Sequence, residues 1–375
     1  MSRCRIGVVS ATIILSCVMM VHNSPVLAQS KVGQPSESSL YWIDSPRAIA
    51  MGRCSINLVD NQSALHNPGT TALLHFDKFL SVSLPRENSV SSYPYYSSNI
   101  STSSISAGAS TKSLKLDRDS DRLTVAVGLS YVRSEFDSGP YFSYGYEGIP
   151  IEIHQWYRDA DYYTGSVAAQ FFVRVGVGYT YRQIKYRSTS TGRFGNSSSD
   201  DYAHDIGAIL EIPIADILNW YNDGSVHDPS SIRLELTPSV AYFETRHSHE
   251  GTLGLGIRST LRSVNVMMGS LIITWERDSW RDIFNKYTDR VGGEIGLLGI
   301  VYVRTGQCYD TINTYGLGLS LHGVLAWMMQ MQWIKPRSAT FAHFLSSVDV
   351  TIDYAKAEAY DDYDDTKFFK VGFSF

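Results

Sequence analysis

Apolar and polar residues alternate with a period of two along much of the chain. The pattern is clear in residues 123–131, where Leu, Val and Tyr alternate with Thr, Ala, Gly and Ser. A period of two predicts β-strands with one apolar face. The longest runs reach roughly 9–10 residues, close to the length that a tilted strand needs to cross a bilayer. The same alternation returns in residues 173–182, 232–237, 253–258, 315–322 and 348–354.

The second face of these strands carries small residues and isolated charges. A soluble sandwich also alternates, but its strands are shorter and its polar face meets bulk water. Tyr131, Tyr181 and Tyr354 end apolar faces, as residues at a membrane interface do. The pattern therefore favours an all-β, transmembrane antiparallel barrel of about 14 strands, within a range of roughly 12 to 16. The charges expected to line its lumen are Arg174, Arg182, Arg258, Asp349 and Asp353.

Four other stretches carry local predictions. The polar runs 87–121 and 188–203 are expected to be long outer loops. Residues 279–290 place apolar side chains at i, i+3, i+4 and i+7, which predicts a short amphipathic helix. Residues 323–333 are rich in Met and Trp, so this stretch is expected either to line an apolar pocket or to contact lipid.

The N-terminus has the features of a signal peptide. Arg3 and Arg5 precede the apolar run 6–21, and Val26 and Ala28 place small residues before a cleavage site. Residues 1–28 are therefore predicted to be removed on export. Their loss takes away two Arg and no acid, which moves the net charge from −5 to −7.

Composition and motifs narrow the function classes. A chain with 43% hydrophobic and 18% charged residues is too polar for a bundle of membrane helices and too apolar for a disordered protein. With 32 basic against 37 acidic residues, nucleic acid is not an expected partner. No nucleophile elbow, Walker loop or zinc-protease motif is present, so we predict no enzyme activity, no catalytic residues, no cofactor and no metal site. Cys54 and Cys308 remain after export, and whether they pair is left open.

The last strand resembles the assembly signal of outer-membrane barrel proteins. It ends the chain with apolar residues on one face, closing on a C-terminal Phe: Phe369, Val371, Phe373 and Phe375. This resemblance implies a Gram-negative-type outer membrane as the location, with its lipids and the barrel assembly machinery as partners.

Residues 46–74 resemble the start of PorV/PorQ-like and long-chain fatty-acid transporter (FadL-like) barrels. The chain departs from that pattern at Arg53 and Cys54, where a small residue is usual, and at Gly69 and Thr70. Asn67, Pro68 and Gly69 also form a turn signal by themselves. The positions that match, together with this turn, are Arg47, Ala48, Met51, Gly52, Asp60, Ala64, Asn67, Pro68 and Gly69.

The resemblance implies a domain organisation and two functions. Residues 29–76 would fold inward as a plug, and residues 77–375 would form the barrel, with a first strand near 79–84. One implied function is uptake of hydrophobic small molecules through a plugged barrel. The alternative is a PorV-like component of a type IX-like secretion system that binds exported proteins at its rim and loops. The partner is then either a hydrophobic ligand or an exported protein, and the sequence does not separate the two.

Overall fold

The computed structural model describes most of the region predicted to form the barrel. It covers residues 45–60, 62, 65–76, 78–84, 87–93, 96–111, 123–144, 150–190, 196–215, 217, 232–245, 250–263, 266–281, 287–308, 312–335, 338, 348–358 and 366–375. The predicted signal peptide, residues 1–28, and the first part of the predicted plug lie outside the described residues.

The described residues form mainly strands, joined by short helices. The helices are α1 (Pro46–Ala50), α2 (Gly69–Leu74) and α3 (Leu321–Gln330), and none in the described part is long and apolar enough to span a bilayer. The strands are β1 (Leu80–Ser83), β2 (Glu87–Tyr93), β3 (Tyr96–Ser110), β4 (Thr124–Asp137), β5 (Tyr141–Tyr144), β6 (Pro150–Gln170), β7 (Arg174–Ser190), β8 (Ser197–Glu211), β9 (Ile232–Thr245), β10 (Glu250–Ser263), β11 (Val266–Arg281), β12 (Tyr287–Leu297), β13 (Val301–Cys308), β14 (Ile312–Ser320), β15 (Asp349–Ala357) and β16 (Thr366–Ser374).

The strands form one closed antiparallel barrel. From β16 back to β6, and then to β4 and β3, each strand pairs with its neighbours, and β1 pairs with both β16 and β3. The ring has 14 strands, because β5 pairs only with β6, and β2 continues along β3 where β1 ends. The prediction of a transmembrane antiparallel barrel of about 14 strands is confirmed.

The last residues of the chain close this ring. The Phe375 amide donates to the Leu80 carbonyl over 2.8 Å, and the Phe79 amide donates to the Phe375 carbonyl over 2.7 Å. On β16, Phe369, Val371 and Phe373 alternate with the buried residues 368, 370, 372 and 374, so they face outward. We call the end of the barrel where β1 begins and β16 ends the terminal end.

The outer and inner faces of the wall differ as the alternation predicts. Large apolar side chains on the outer face are exposed, as they must be to contact lipid, while their inward-facing neighbours are buried. This exposed outer band includes Val127, Leu129, Val167, Val177, Leu253, Leu255, Ile257, Leu271, Ile273, Ile295, Val303, Leu317 and Leu319.

Aromatic rings mark a membrane boundary on the outer wall. Tyr131, Tyr163, Tyr181 and Tyr202 lie on the neighbouring strands β4, β6, β7 and β8, with successive ring centroids 5.3, 6.4 and 6.0 Å apart. Farther from the terminal end, β4 and β7 carry exposed charged residues that include Arg133, Glu135, Lys185 and Arg187. Aromatic side chains between apolar and charged surfaces are typical of a membrane interface.

The predictions of two long loops are wrong over most of their length. Strands β2 and β3 occupy much of residues 87–121, and β7 and β8 cover most of 188–203. Serine, threonine and asparagine suit the inner face of a barrel strand, so a polar composition does not by itself distinguish such a strand from a loop.

The predicted helix at residues 279–290 is wrong at both of its ends, and its middle, residues 282–286, lies outside the described residues. Strand β11 continues to Arg281 and β12 begins at Tyr287, and these two residues pair across the hairpin. Hydrogen bonds to the neighbouring strands outweigh a helical spacing of apolar residues over such a short stretch. Residues 323–330, in contrast, belong to helix α3.

Candidate functional site

The described part of residues 45–78 runs along the inner wall of the barrel. We call it the N-terminal segment. Helix α1 contacts β13 to β16, and α2 contacts β4 and β6 to β8. Between these helices, the Ile56 amide donates to Glu276 Oε1 on β11 over 2.8 Å. The segment therefore follows the inside of the wall from β15 through β11 to β4.

The backbone of the segment lies directly on inward-facing glycines. A β-carbon on Gly306 would lie 2.1 Å from the Gly52 nitrogen, and one on Gly292 would lie 2.1 Å from the Met51 carbonyl oxygen. No side chain fits at such distances, so only glycine allows this approach. Other inward-facing glycines lie directly under side chains of the segment, as Gly254 does under Asn57 and Ile56. We call the inward-facing glycines that contact the backbone or the side chains of the segment the glycine belt: Gly108, Gly128, Gly176, Gly178, Gly207, Gly254, Gly292, Gly306 and Gly316.

Gly52, one of the predicted motif residues, is held where no other residue fits well. Its φ angle is +67°, which L-residues rarely adopt, and its own β-carbon would lie 2.5 Å from the Val291 carbonyl oxygen. The Gly52 amide donates to Thr314 Oγ1 over 2.9 Å, and that hydroxyl donates to the Ala50 carbonyl over 3.1 Å. Met51, also predicted, is fully buried beside it.

Asn67 joins two parts of the segment to the wall. Its side-chain amide donates to the Ile56 carbonyl over 2.9 Å and to the Ala208 carbonyl of β8 over 3.1 Å. Its Oδ1 accepts from the Gly69 amide over 3.0 Å, which fixes the start of α2. Pro68 lies between Asn67 and Gly69 in the chain, and its carbonyl oxygen packs against Gly178. The side-chain oxygen and nitrogen of Asn67 are thus both bonded to backbone at this corner.

Arg47 holds α1 to the wall through an ionic cluster. Its Nε and Nη2 donate to the two carboxylate oxygens of Glu294 on β12, over 2.9 and 2.8 Å. Arg304 of β13 donates to the same Glu294 over 2.6 Å and to Asp353 of β15 over 2.5 Å. We call these residues the Arg47 cluster: Arg47, Glu294, Arg304 and Asp353. Burial opposes ionisation of Arg47, but Glu294 and Asp60 together raise its pKa above the ordinary value.

Asp60 lies near this cluster and is bonded within the segment. Its carboxylate accepts from Ser45 Oγ over 3.1 Å and from the Gln62 amide over 2.8 Å. Burial by itself raises the pKa of Asp60, but the charges of Lys370 and Arg47 outweigh it and bring the pKa below its ordinary value of 3.8. Asp60 is therefore ionised at neutral pH and connects the start of the segment to its middle.

The other predicted lumen charges form pairs on the inner wall. Arg182 donates to Asp205 over 2.7 Å. Arg174 and Arg258 both pair with Glu211, at 3.6 and 3.2 Å. Asp349 lies at the terminal end, where it accepts from Ser320 Oγ over 2.8 Å and from the His322 amide over 3.2 Å.

Sequence reasoning missed one cluster that contacts the segment. Arg290 of β12 lies 2.5 Å from Asp278 and 3.5 Å from Glu276, both on β11, and donates to the Arg53 carbonyl over 3.4 Å. These residues sit at inward-facing positions of their strands, and that alternation is the signal that could have identified them.

The two cysteines left open by the sequence do not form a disulfide. Cys54 and Cys308 are both buried as thiols, and Cys54 donates to the Thr274 carbonyl over 3.8 Å. Burial, and then the Glu276 carboxylate, raise the pKa of Cys54 well above its ordinary value. Among the residues that the structure describes, no three or more His, Cys, Asp or Glu side chains are grouped so that they could hold a metal ion.

The inner wall at the belt is as dry as a protein core. Thr180, Thr274, Glu276, Glu294 and Thr314 point inward from different strands, and each is at most 1% exposed. In a water-filled barrel, such polar inward-facing side chains are wet. At this height, the described residues of the segment and the wall therefore bury each other.

Comparison with known proteins gives structural likenesses only. No family model and no curated protein matches the sequence. The barrel is similar to the TodX deltaS2S3 mutant monoaromatic hydrocarbon channel, with 9% identity over 87% of this chain and 97% of that chain and a TM-score of 0.43. It is also similar to the toluene transporter TbuX of Ralstonia pickettii (10% identity, 88% and 97% covered, TM-score 0.36). The transport unit of the autotransporter AIDA-I from Escherichia coli is a third (8% identity, 80% and 90% covered, TM-score 0.39).

These identities and scores are too low to bear on function. The barrel assignment rests on the closed strand order of this chain, and the membership in PorV-like or FadL-like barrels stays a prediction. The contacts between the segment and the wall, in contrast, belong to this chain itself and do bear on its function.

A first prediction compares two adjacent glycines of β12. Gly292→Ala places a methyl group against the Met51 carbonyl, whereas the nearest atom to a β-carbon at the outward-facing Gly293 is 3.7 Å away. We expect Gly292→Ala to cost about 1–3 kcal/mol of folding stability by overpacking and to speed tryptic cleavage after the buried Arg53. Gly293→Ala should leave the cleavage rate close to that of the wild type. Equal cleavage rates in the two variants would show that the segment does not rest on the belt.

A second prediction concerns the Arg47 cluster. Arg47→Met leaves Glu294 buried with one of its two arginine partners, which should cost about 1–3 kcal/mol in the free energy of unfolding. The control is Arg277→Met, which removes an exposed pair with Asp289 (2.6 Å) and should cost less than about 1 kcal/mol. Urea unfolding of both variants in micelles provides the comparison. If Arg47→Met costs no more than the control, Arg47 does not hold the segment.

A third prediction is a pH dependence that involves Asp60. Because the pKa of Asp60 is lower in the folded protein than its ordinary 3.8, its ionised form stabilises the fold. That stabilisation is complete above pH 3.8 and disappears as the pH falls through the lower folded-state pKa. Asp60→Asn should therefore lower the melting temperature at pH 7 and reduce its fall towards pH 3. Parallel melting curves for the two proteins across this range would argue against the assignment.

Proposed function

We propose that this protein is a plugged outer-membrane barrel that lets hydrophobic small molecules cross when the N-terminal segment moves. The observation that carries the proposal is the dry inner wall at the glycine belt, where polar inward-facing side chains are at most 1% exposed. A barrel closed in this way is not an open diffusion pore, so transport requires displacement of the segment.

Two buried apolar clusters next to the segment support a hydrophobic cargo. One contains Leu65 of the segment with wall residues of β4, β6 and β7: Val132, Ala160, Tyr162 and Ile184. The other contains Ile49 and Ala50 of the segment with wall residues of β3, β15 and β16: Ile100, Ala355, Ala357 and Phe368. If the segment leaves either cluster, it exposes apolar wall surface, and a hydrophobic molecule replaces that contact at less cost than water does.

The contacts also indicate which half of the segment moves. The α2 half rests with its backbone on Gly176 and Gly178 and leads within a few residues into β1, so it is tethered to the wall. The α1 half also has backbone on belt glycines, where Met51 and Gly52 lie against Gly292 and Gly306, and it is held in addition by the Arg47 cluster. It lies much farther from β1 along the chain than α2 does, so it can leave the wall without displacing β1. We therefore assign the motion to the α1 half.

The alternative to transport, which the sequence left open, is a role as a component of a protein secretion system. It would use the rim and the loops of the barrel, and residues 191–195, 246–249, 282–286 and 309–311, which connect successive strands in the chain, lie outside the described residues. The described contacts inside the barrel favour transport.

The closed lumen is tested by conductance in planar bilayers. We expect the purified wild-type protein to show no steady ion current, because the segment and the wall bury each other. Deletion of residues 39–70 removes most of the segment and should produce steady channels. A steady wild-type current of the same size as in the deletion variant would contradict a closed barrel.

The cargo is tested on the same protein by native mass spectrometry after gentle extraction from its own membrane. We expect an apolar ligand bound to the wild type and lost from Ala357→Asp, which places a charge in the apolar wall cluster that the α1 half covers. Thr189→Asp, at an exposed position of β7, is the matched control and should keep the ligand. A co-extracted protein with no apolar ligand would favour the secretion role instead.

A further inference from the structure

Helix α3 is fixed at its start to the terminal end of the barrel. It follows β14, and the Ser320 hydroxyl accepts from the Gly323 amide over 3.4 Å as an N-cap. Asp349, at the start of β15, accepts from both the Ser320 hydroxyl and the His322 amide. Hydrogen bonds to Asp349 thus join the first turn of α3 to the start of β15.

The helix lies along the rim of the barrel. A β-carbon on Gly323 would lie 2.1 Å from the Gly299 carbonyl oxygen, so the helix backbone packs directly on the turn between β12 and β13. The helix also contacts β11 and β15. Ten residues of helix measure about 15 Å, which matches the width of about three strands spaced 4.8 Å apart. The helix therefore passes across the ends of the strands from β14 towards β11.

Helix α3 is apolar apart from His322 in its first turn and Gln330 at its end, and it is only partly covered by protein. Residues 321–334 contain no charged side chain. Leu321, Met331 and Trp333 are 42%, 51% and 68% exposed, and Val324 to Met329 are only half-buried. A helix that is hydrophobic all round requires an apolar environment on every side. The barrel supplies one side of it.

The exposed surface of α3 continues the lipid-facing wall. Leu297 and Leu319, at the ends of β12 and β14, are 56% and 49% exposed on the outer face. Leu298 and Leu321 follow them directly in the chain and are also exposed, so the apolar outer surface runs from the wall onto the helix without a polar break. The surrounding bilayer is therefore the environment that α3 shares with the wall.

The side chains at the end of the helix and just after it are of the types found at the depth of the lipid headgroups. Trp327 and Trp333 pack edge to face, with ring centroids 5.0 Å apart. Tryptophan concentrates where the acyl chains meet the headgroups. Lys335 is exposed immediately afterwards, where its ammonium group can reach a lipid phosphate.

We propose that α3 and residues 331–333 form an interfacial anchor, which lies in the membrane plane at the terminal end with bilayer lipid as its partner. Of the two roles open from the sequence for residues 323–333, this assigns lipid contact rather than a pocket lining. The anchor does not depend on the transport proposal. It fixes the depth of the barrel at one membrane surface, opposite the boundary marked by the band of tyrosines.

The proposal is tested by tryptophan quenching with full-length protein in phosphatidylcholine vesicles. The lipids carry bromine either near the headgroup or deep in the acyl chains, and iodide is added to the water as the aqueous quencher. The difference in emission between the wild type and a Trp327→Phe/Trp333→Phe variant isolates these two among the seven tryptophans. We expect this difference signal to be quenched more strongly by shallow than by deep bromine, and little by iodide.

Trp275→Phe is the matched control. Trp275 lies on β11, and its ring centroid is 5.1 Å from the guanidinium carbon of Arg277. Removal of Trp275 should leave the signal of Trp327 and Trp333 unchanged. Strong iodide quenching without bromine quenching would place α3 in water or against a displaced partner protein. Absence of quenching by either reagent would place it in a protein interior. Each of these results would overturn the anchor.

Discussion

The rest of the structure depends on the close approach of the N-terminal backbone to the glycine belt. Peptide groups of the segment lie where a β-carbon of the wall would otherwise be, as at Gly292 and Gly306. This approach lets short wall side chains bond directly to the segment, as Thr314 does with the Gly52 amide. It also leaves little room for water, which is why polar wall residues at this height are buried.

Charge pairing makes the same path electrostatically possible. An arginine or an unpaired amide inside a dry barrel is costly, and the wall offsets that cost at defined points. Glu294 accepts hydrogen bonds from Nε and Nη2 of Arg47, and Glu276 accepts a hydrogen bond from the Ile56 amide. The glycines determine where the segment fits, and these acids determine how its α1 half is held. Both halves rest on belt glycines, so the proposed motion of the α1 half requires its contacts with Gly292 and Gly306 to break as well as its ion pairs.

The sequence predicts the barrel well because alternation and strand length are local properties. The turn signal at Asn67, Pro68 and Gly69 is local in the same way, whereas Gly52 was singled out only by a family resemblance and its fit depends on the wall. The glycine belt could not be predicted, because Gly176, Gly292 and Gly306 come to one height only through the register between strands. The same holds for Glu276 and Arg290. Residues 99–110 show the opposite error, since the serine-rich inward face of β3 has the composition of a loop.

Hydrogen–deuterium exchange of the segment amides in the reconstituted wild-type protein tests the central claim most directly. The Gly52, Ile56 and Gly69 amides donate to Thr314, Glu276 and Asn67 and are buried against the wall. The account predicts that these amides exchange as slowly as those of the neighbouring barrel strands. Exchange at the rate of an unstructured peptide, while the strands remain protected, would contradict a segment seated on the glycine belt.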